Sequence, residues 1–187
     1  QFETCAPVSE IVLVLAADSL EKGRRLIAQQ GYRKVSQICA GGERRQDSVR
    51  VGLDTLKPCD LVVVHDGARP GADQALLQRG LKAARECEAV VAGVPVKDTI
   101  KVVSSEGTVV DTPPRDTLWA AQTPQIFRYD LLMEAHRQCT ANFTDDAAMV
   151  ESLGHHVQMF LGSYENLKVT TPEDIAVVEA VLKARGG

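Results

Sequence analysis

The sequence predicts an α/β domain with a mostly parallel sheet, helices on both faces and a projecting β-arm. Three observations carry this. Short, continuously apolar runs recur at 10–17 (EIVLVLAA), 61–64 (LVVV) and 89–94, the pattern of strands buried on both faces. Segments with helical apolar spacing separate them, an alternation that builds doubly wound parallel sheets. The run at 61–64 then stops abruptly at His65-Asp66-Gly67-Ala68-Arg69-Pro70. That is the carboxyl end of a buried strand, where open α/β sheets bind ligands.

Taken in order, residues 1–9 read as the end of a helix and a loop, and Gln1 does not look like a natural start. The strand at 10–17 reads as fully buried. Asp18 opens a helix, with Glu21 placed for a capping box and Gly31 as its stop. A strand at 34–40 runs into Gly41-Gly42-Glu43-Arg44-Arg45-Gln46-Asp47-Ser48. Glycines between a strand and a helix expose N–H groups suited to an anion or nucleotide. Two glycines alone are a weak signal, since many such turns contain them. The helix that follows faces inward with Val49, Leu53 and Leu56. After the central strand, Asp73 caps a helix carrying Leu76, Leu77, Leu81 and Ala84, and the strand at 89–94 follows.

The pattern then changes. Residues 98–103 and 108–112 are β-rich around Ser104-Ser105-Glu106-Gly107, a hairpin signal. A lone two-stranded ribbon is marginal in water, so this arm, about 98–115, needs a surface such as a second subunit. Residues 119–127 return the chain to the body, with Trp119 in a packing role. A helix at 129–138 turns Leu131, Leu132 and Ala135 inward. Thr144 is a good N-cap, and Asp145 and Asp146 suit the helix dipole, which explains all three structurally. Residues 156–161 form a strand. His155 and His156 would point to opposite faces there, as a strand edge and not a metal pair. Residues 166–169 are a short extended piece. Thr171-Pro172-Glu173-Asp174 starts the last helix, with Ile175, Val178 and Leu182 as its buried stripe. No repeat or linker interrupts residues 1–187, which read as one domain.

The bulk numbers narrow the function. A net charge of −4 gives no argument for nucleic acid or an anionic membrane as partner. No apolar run is long enough to span a bilayer, and no signal peptide is visible. The five cysteines (Cys5, Cys39, Cys59, Cys87, Cys139) are odd in number and form no CxxC pair. They read as reduced thiols of a cytoplasmic protein. At the central strand end, Asp66 is a hard oxygen donor suited to Mg²⁺. Gly67 admits close backbone approach, and Arg69 offers a planar fork for phosphate or carboxylate. An acid that caps the next helix and pairs with an arginine explains this stretch equally well.

Six blocks tip the balance. They are GGERRQDSVRVGL at 41–53, VVVHDGARP at 62–70, VPVKDTIK at 94–101, PRDTLWAAQTPQIF at 114–127, TDDAAMVE at 144–151 and NLKVTTPEDI at 166–175. In order and spacing they resemble the 2-C-methyl-D-erythritol 4-phosphate cytidylyltransferases of the non-mevalonate isoprenoid pathway. The resemblance covers essentially the whole chain. It implies a Rossmann-like nucleotidyltransferase fold, Mg²⁺ as cofactor, CTP and methylerythritol phosphate as substrates, and a homodimer built through the arm. Gly42, Glu43 and Ser48 match positions that contact cytosine and ribose, with Glu43 standing where some members have aspartate. Asp66 matches the metal-binding aspartate, and Gly67 follows it at the nucleotide. Arg69, Thr99, Arg115, Thr123, Thr144 and Lys168 match positions around the acceptor phosphate, and Asp66, Arg115 and Lys168 are the catalytic set. The resemblance also implies that Arg115 and Thr123 reach the site from the partner's arm.

The family begins with a strand, a glycine-rich loop and a helix, a βα unit on the order of 40 residues. Residues 1–187 do not contain it. The expectation is therefore that these residues alone do not turn over CTP. Two rivals stand beside the main reading. One is a cytidylyltransferase for another polyol phosphate, ribitol 5-phosphate first. The other is a catalytically inactive nucleotide-binding or assembly module.

Overall fold

The apolar runs become strands in the computed structural model, which describes residues 1–185. The elements are β1 (Ile11–Leu15), α1 (Leu20–Gln30), β2 (Val35–Ala40), α2 (Arg45–Thr55), β3 (Leu61–Val64), α3 (Gln74–Ala83) and β4 (Ala89–Pro95). The arm strands β5 (Val102–Val103) and β6 (Val109–Asp111) follow. Then come β7 (Trp119–Arg128), α4 (Tyr129–Gln138), α5 (Asp146–Ser152), β8 (Gln158–Leu161) and α6 (Pro172–Arg185). Gly31 ends α1 in the left-handed region, φ 66°, and its N–H donates to the Ile27 carbonyl. A side chain at that φ would be strained, so glycine is the natural stop.

The central sheet has the order β3-β7-β4-β8. β3, β4 and β8 share one direction, and β7 runs against both of its neighbours. β1 and β2 form a separate parallel pair. The α/β expectation holds, but the return segment 119–127 is in fact the ten-residue strand β7. Gln122, Thr123 and Gln125 break its apolar run, and Pro124 removes a ladder donor, so it does not read as a central strand.

β4 shows why the sheet is covered on both faces. Residues from Ala89 to Val94 are all buried. Ala89 and Val91 pack with Phe127, Leu132 and Val150 on the side of α4 and α5. Val90 and Ala92 pack with Leu76, Ile126 and Phe160 on the side of α3. Successive side chains on a strand point to opposite faces, so one apolar run feeds two cores.

Several local expectations change. All five β1 residues are only half-buried, because β1 has a single strand neighbour. Residues 1–9 form turns and loop, not the end of a helix. Asp18 lies in a short 3₁₀ turn, and Ser19 is the N-cap of α1 without a side-chain cap bond. The cap of α5 is Asp145, whose carboxylate accepts the Ala148 N–H at 2.9 Å, not Thr144. His155 and His156 are exposed and precede β8. On α6 only Val178 is buried, while Ile175 and Leu182 are 50% and 40% exposed. That helix is anchored partly by charge, through Arg185 donating to Glu165 at 2.8 Å and to the Gly71 carbonyl at 2.7 Å.

Among the described residues one carboxylate lies wholly inside. Asp146 is 0% exposed. Its Oδ1 accepts from His136 Nε2 at 2.9 Å and its Oδ2 from Arg45 Nη1 at 2.7 Å. A buried carboxylate must be compensated in this way. Burial pushes its pKa up, but the bond from His136 and the charge of Arg45 outweigh it, and the carboxyl sits below its usual range. A depressed carboxyl stabilises the fold above its unfolded value of about 3.9 and loses that contribution as pH falls through its folded value. Asp146→Asn is therefore expected to cost on the order of 3 kcal/mol at neutral pH. Urea unfolding at a series of pH values should show the gap between wild type and variant narrowing only below about pH 4. A gap independent of pH down to full acid unfolding would mean that Asp146 is not ionised in the folded protein.

Candidate functional site

The site grows from the carboxyl end of β3. There the Asp66 N–H donates to Thr123 Oγ1 on β7 at 3.0 Å. Thr123 Oγ1 also meets His65 Nδ1 at 3.2 Å, and His65 Nε2 meets the Arg69 carbonyl at 3.1 Å. A carbonyl only accepts, so Nε2 carries the proton and Nδ1 accepts from the threonine hydroxyl. The Thr123 hydroxyl is thus used as donor to His65 and as acceptor from Asp66. Burial lowers the His65 pKa, against the opposing pull of the Arg69 carbonyl and Asp66, and so keeps the ring neutral.

The turn after Asp66 is closed by the Arg69 N–H donating to the Asp66 carbonyl at 2.9 Å. Arg69 then reaches across, with Nη1 donating to the Asn166 carbonyl at 2.8 Å. Asn166 is fully buried, and its Nδ2 donates to the Thr123 carbonyl at 2.8 Å. The Val169 N–H donates to the Ala68 carbonyl at 2.8 Å. These bonds dock residues 166–169 beside the turn and deliver Lys168.

The Asp66 carboxylate lies between two cations. Oδ1 accepts from Arg45 Nε at 3.2 Å and Oδ2 from Lys168 Nζ at 2.9 Å. Burial opposes ionisation, but Lys168 and Arg45 prevail and hold the carboxyl below its ordinary value. Around it opens a cleft of about 240 Å³ lined by Arg45, Asp66, Arg69, Gln122, Thr123, Gln125, Thr144, Asp145 and Lys168. Gln125 ties its floor to the start of α5, donating to Asp145 at 2.8 Å and accepting from the Ala147 N–H at 3.2 Å. A larger hollow of about 390 Å³ lies on α4 beside Tyr129 and Arg137, away from Asp66.

The cleft gathers Asp66, Arg69, Thr123, Thr144 and Lys168 from the expected set, and adds Arg45, Gln122, Gln125 and Asp145. Gly67 is exposed directly after Asp66, with open space where a side chain would project. Gly42, Glu43 and Ser48 do not line the cleft; Gly42 and Glu43 lie just before α2, Arg45 opens it and Ser48 sits in its first turn. There Ser48 Oγ accepts the Gly42 N–H at 3.1 Å. Thr99 and Arg115 lie at the arm. Thr99 is exposed, and Arg115 Nη1 donates to the Lys97 carbonyl at 2.8 Å. One expectation is corrected. Thr123 does not come from a partner, because it braces Asp66 of its own chain.

Among the described residues no three His, Cys, Asp or Glu side chains converge as a cage. Mg²⁺ commonly keeps waters and binds through one or two carboxylates plus substrate phosphates. Asp66 in an open, polar cleft fits that mode, provided Lys168, whose side chain is 43% exposed, releases Oδ2.

Residues 1–184 match the family model of 2-C-methyl-D-erythritol 4-phosphate cytidylyltransferase (IspD). The chain is 45% identical over 182 residues to the 2-C-methyl-D-erythritol 4-phosphate cytidylyltransferase of Dehalococcoides mccartyi, covering 97% of this chain and 80% of that protein. It is 46% identical over 179 residues to the protein of the same name from Clostridioides difficile, covering 94% and 75%. In three dimensions it is similar to the crystal structure of 4-diphosphocytidyl-2C-methyl-D-erythritol synthase from Anaerococcus prevotii. The TM-score is 0.86 at 31% identity, covering 94% of this chain and 82% of that one. The chain belongs to the 2-C-methyl-D-erythritol 4-phosphate cytidylyltransferase family.

Proposed function

We propose that the protein carrying this chain as one nucleotidyltransferase domain transfers CMP from CTP to 2-C-methyl-D-erythritol 4-phosphate, releasing pyrophosphate. The family membership supplies the substrates. The observation that carries the chemistry is the ionised Asp66 flanked by Arg45, Arg69 and Lys168 in one cleft. An oxygen of the acceptor phosphate attacks the α-phosphorus of CTP, and the bond to the departing pyrophosphate breaks. The second pKa of a phosphate monoester is about 6, so the nucleophile is already anionic at neutral pH. No general base is needed, which agrees with His65 having both ring nitrogens engaged.

The chain's own groups position and neutralise. Lys168 and Arg69 offset the charge of the phosphates, and Thr144 lines the same wall. Thr123 offers the substrate only a lone pair, so its part is to hold the Asp66 backbone. Gly42, Glu43, Ser48 and Gly67 border the nucleotide side. Asp66 would hold Mg²⁺, which when bound supplies charge neutralisation on the triphosphate. Five free thiols suit a cytoplasmic setting.

Product analysis with CTP and either methylerythritol phosphate or ribitol 5-phosphate tests the acceptor. Preferential transfer to ribitol 5-phosphate, or nucleotide binding without transfer, would overturn this reading. Asp66→Asn should lower transfer at least about a hundredfold with the fold intact by circular dichroism, the scale seen when one oriented charge-stabilising group is removed. Near-normal turnover with an unchanged magnesium requirement would reduce Asp66 to a structural ion-pair partner.

The arm supports a homodimer. Val102, Val103, Val109 and Val110 are 44%, 53%, 52% and 63% exposed on a ribbon with two short strands. Two such ribbons about a two-fold axis would cover each other. In that dimer Arg115, and Thr99 near it, serve the neighbour's cleft. Full-length Arg115→Ala and Asp66→Asn, each inactive alone, are expected to regain activity when mixed under subunit exchange. No recovery despite proven heterodimers would place Arg115 in its own chain's site.

A further inference from the structure

The two cations on Asp66 differ in freedom. Lys168 is partly exposed and stands on a segment outside any helix or strand. An ammonium on a flexible stem exchanges partners readily. Arg45 is anchored. Its Nη1 donates to Asp146 at 2.7 Å, and Asp146 is wholly buried. The other Asp146 oxygen is held by His136 Nε2 at 2.9 Å, from a side chain 2% exposed. If Arg45 swung away, a buried carboxylate would lose a charge partner. The guanidinium is planar, with fixed donor directions. Pinning Nη1 therefore fixes where the Nε–H points, and that N–H meets Asp66 Oδ1. The connection His136–Asp146–Arg45–Asp66 joins α4, α5 and α2 to the end of β3.

We propose that Arg45 is a positioning residue for Asp66, locked by the buried Asp146–His136 pair, so that Asp66 offers a divalent cation Oδ2 alone. This rests on the reading that Asp66 receives a divalent cation together with CTP. Arg45 stays on Oδ1 in the free and loaded protein. Lys168 gives up Oδ2 and moves its charge to phosphate oxygens. Asp66 would then present one free oxygen at a fixed place to a divalent cation. Supporting residues of this kind act through placement of about 0.5 Å and not through contact with substrate.

Arg45→Lys keeps the charge but lacks the fork that spans Asp66 and Asp146. It is expected to lower kcat at least about tenfold while KM for CTP changes less than about threefold, the signature of misplacement without lost binding. The readout independent of turnover is the electron paramagnetic resonance spectrum of Mn²⁺ bound with CTP in the absence of acceptor. That spectrum should change in Arg45→Lys. His136→Leu, changed outside the cleft, should show the same effects more weakly. His136→Gln, which keeps an N–H for Asp146, should recover most of what His136→Leu loses. If Arg45→Lys does not fold, the two His136 variants give the same comparison. A loss confined to KM for CTP would make Arg45 a nucleotide ligand, and unchanged kcat and spectra would make it merely structural. Either overturns the proposal. Wild-type protein that binds no Mn²⁺ with CTP overturns the functional reading itself, and shows this before any variant is made.

Discussion

The ladder between β7 and its two neighbours is the constraint on which the site depends. β7 pairs antiparallel with β3 over Leu61–Val64 and with β4 over Ala89–Pro95. It joins β4, buried from Ala89 to Val94, to β3, which buries Val62 and Val64. It also carries Thr123 beside Asp66, and Gln125 beside the start of α5. A buried strand with three polar side chains is stable only if each is satisfied. Gln122 donates to the Ser163 carbonyl at 2.9 Å, Thr123 serves His65 and Asp66, and Gln125 serves Asp145 and Ala147. The polar groups that make β7 an unusual strand are the ones that hold the three loops of the cleft in place.

The electrostatics of the cleft oppose those of the chain. The chain carries a net charge of −4. Yet Arg45, Arg69 and Lys168 surround the ionised Asp66. Among the described residues, the buried side-chain atoms without a hydrogen-bond partner are Arg45 Nη2, Arg69 Nε and Asn166 Oδ1. Each belongs to a residue of the cleft or to its direct support. Folding favours satisfying every such atom, and the exceptions gather at the cleft and its direct support.

What was legible in the sequence follows from how local each signal is. The strand at 61–64 and the helix at 129–138 appear with the expected bounds, because periodicity and neighbouring turns decide them. β7 was hidden because its stability comes from partners 20 to 60 residues away, such as Asp145 and His65. Arg45 was hidden for another reason. Arg44 and Arg45 are adjacent, and only the fold separates them. Arg44 makes a surface pair with Asp47, while Arg45 turns inward to Asp66 and Asp146. Thr144, Thr123 and Lys168 have ordinary structural explanations in isolation. They stood out only as parts of blocks that recur together in a family. The α6 stripe failed because apolar spacing shows which residues share a face, but not whether anything covers it.

The arm separates two residues that the family resemblance had placed together. Thr123 stands in the cleft of its own chain, where it receives the Asp66 N–H and orders the turn that presents the carboxylate. Arg115 has no such tie. It is held at the neck, where it donates to the Lys97 carbonyl. The same neck is fastened by the Val96 N–H to the Leu118 carbonyl at 3.1 Å and by Tyr164 Oη to the Pro95 carbonyl at 2.7 Å. Lys97 Nζ lies 3.6 Å from the Tyr164 ring centroid, a favourable cation–π contact. These contacts fix the direction in which the ribbon leaves the body, and the ribbon's valines then have no apolar cover from their own core clusters. A ribbon that leaves the body with exposed valines along its strands fits the proposed pairing with a second ribbon. It would carry Arg115 with the arm, while β7 keeps Thr123 at home.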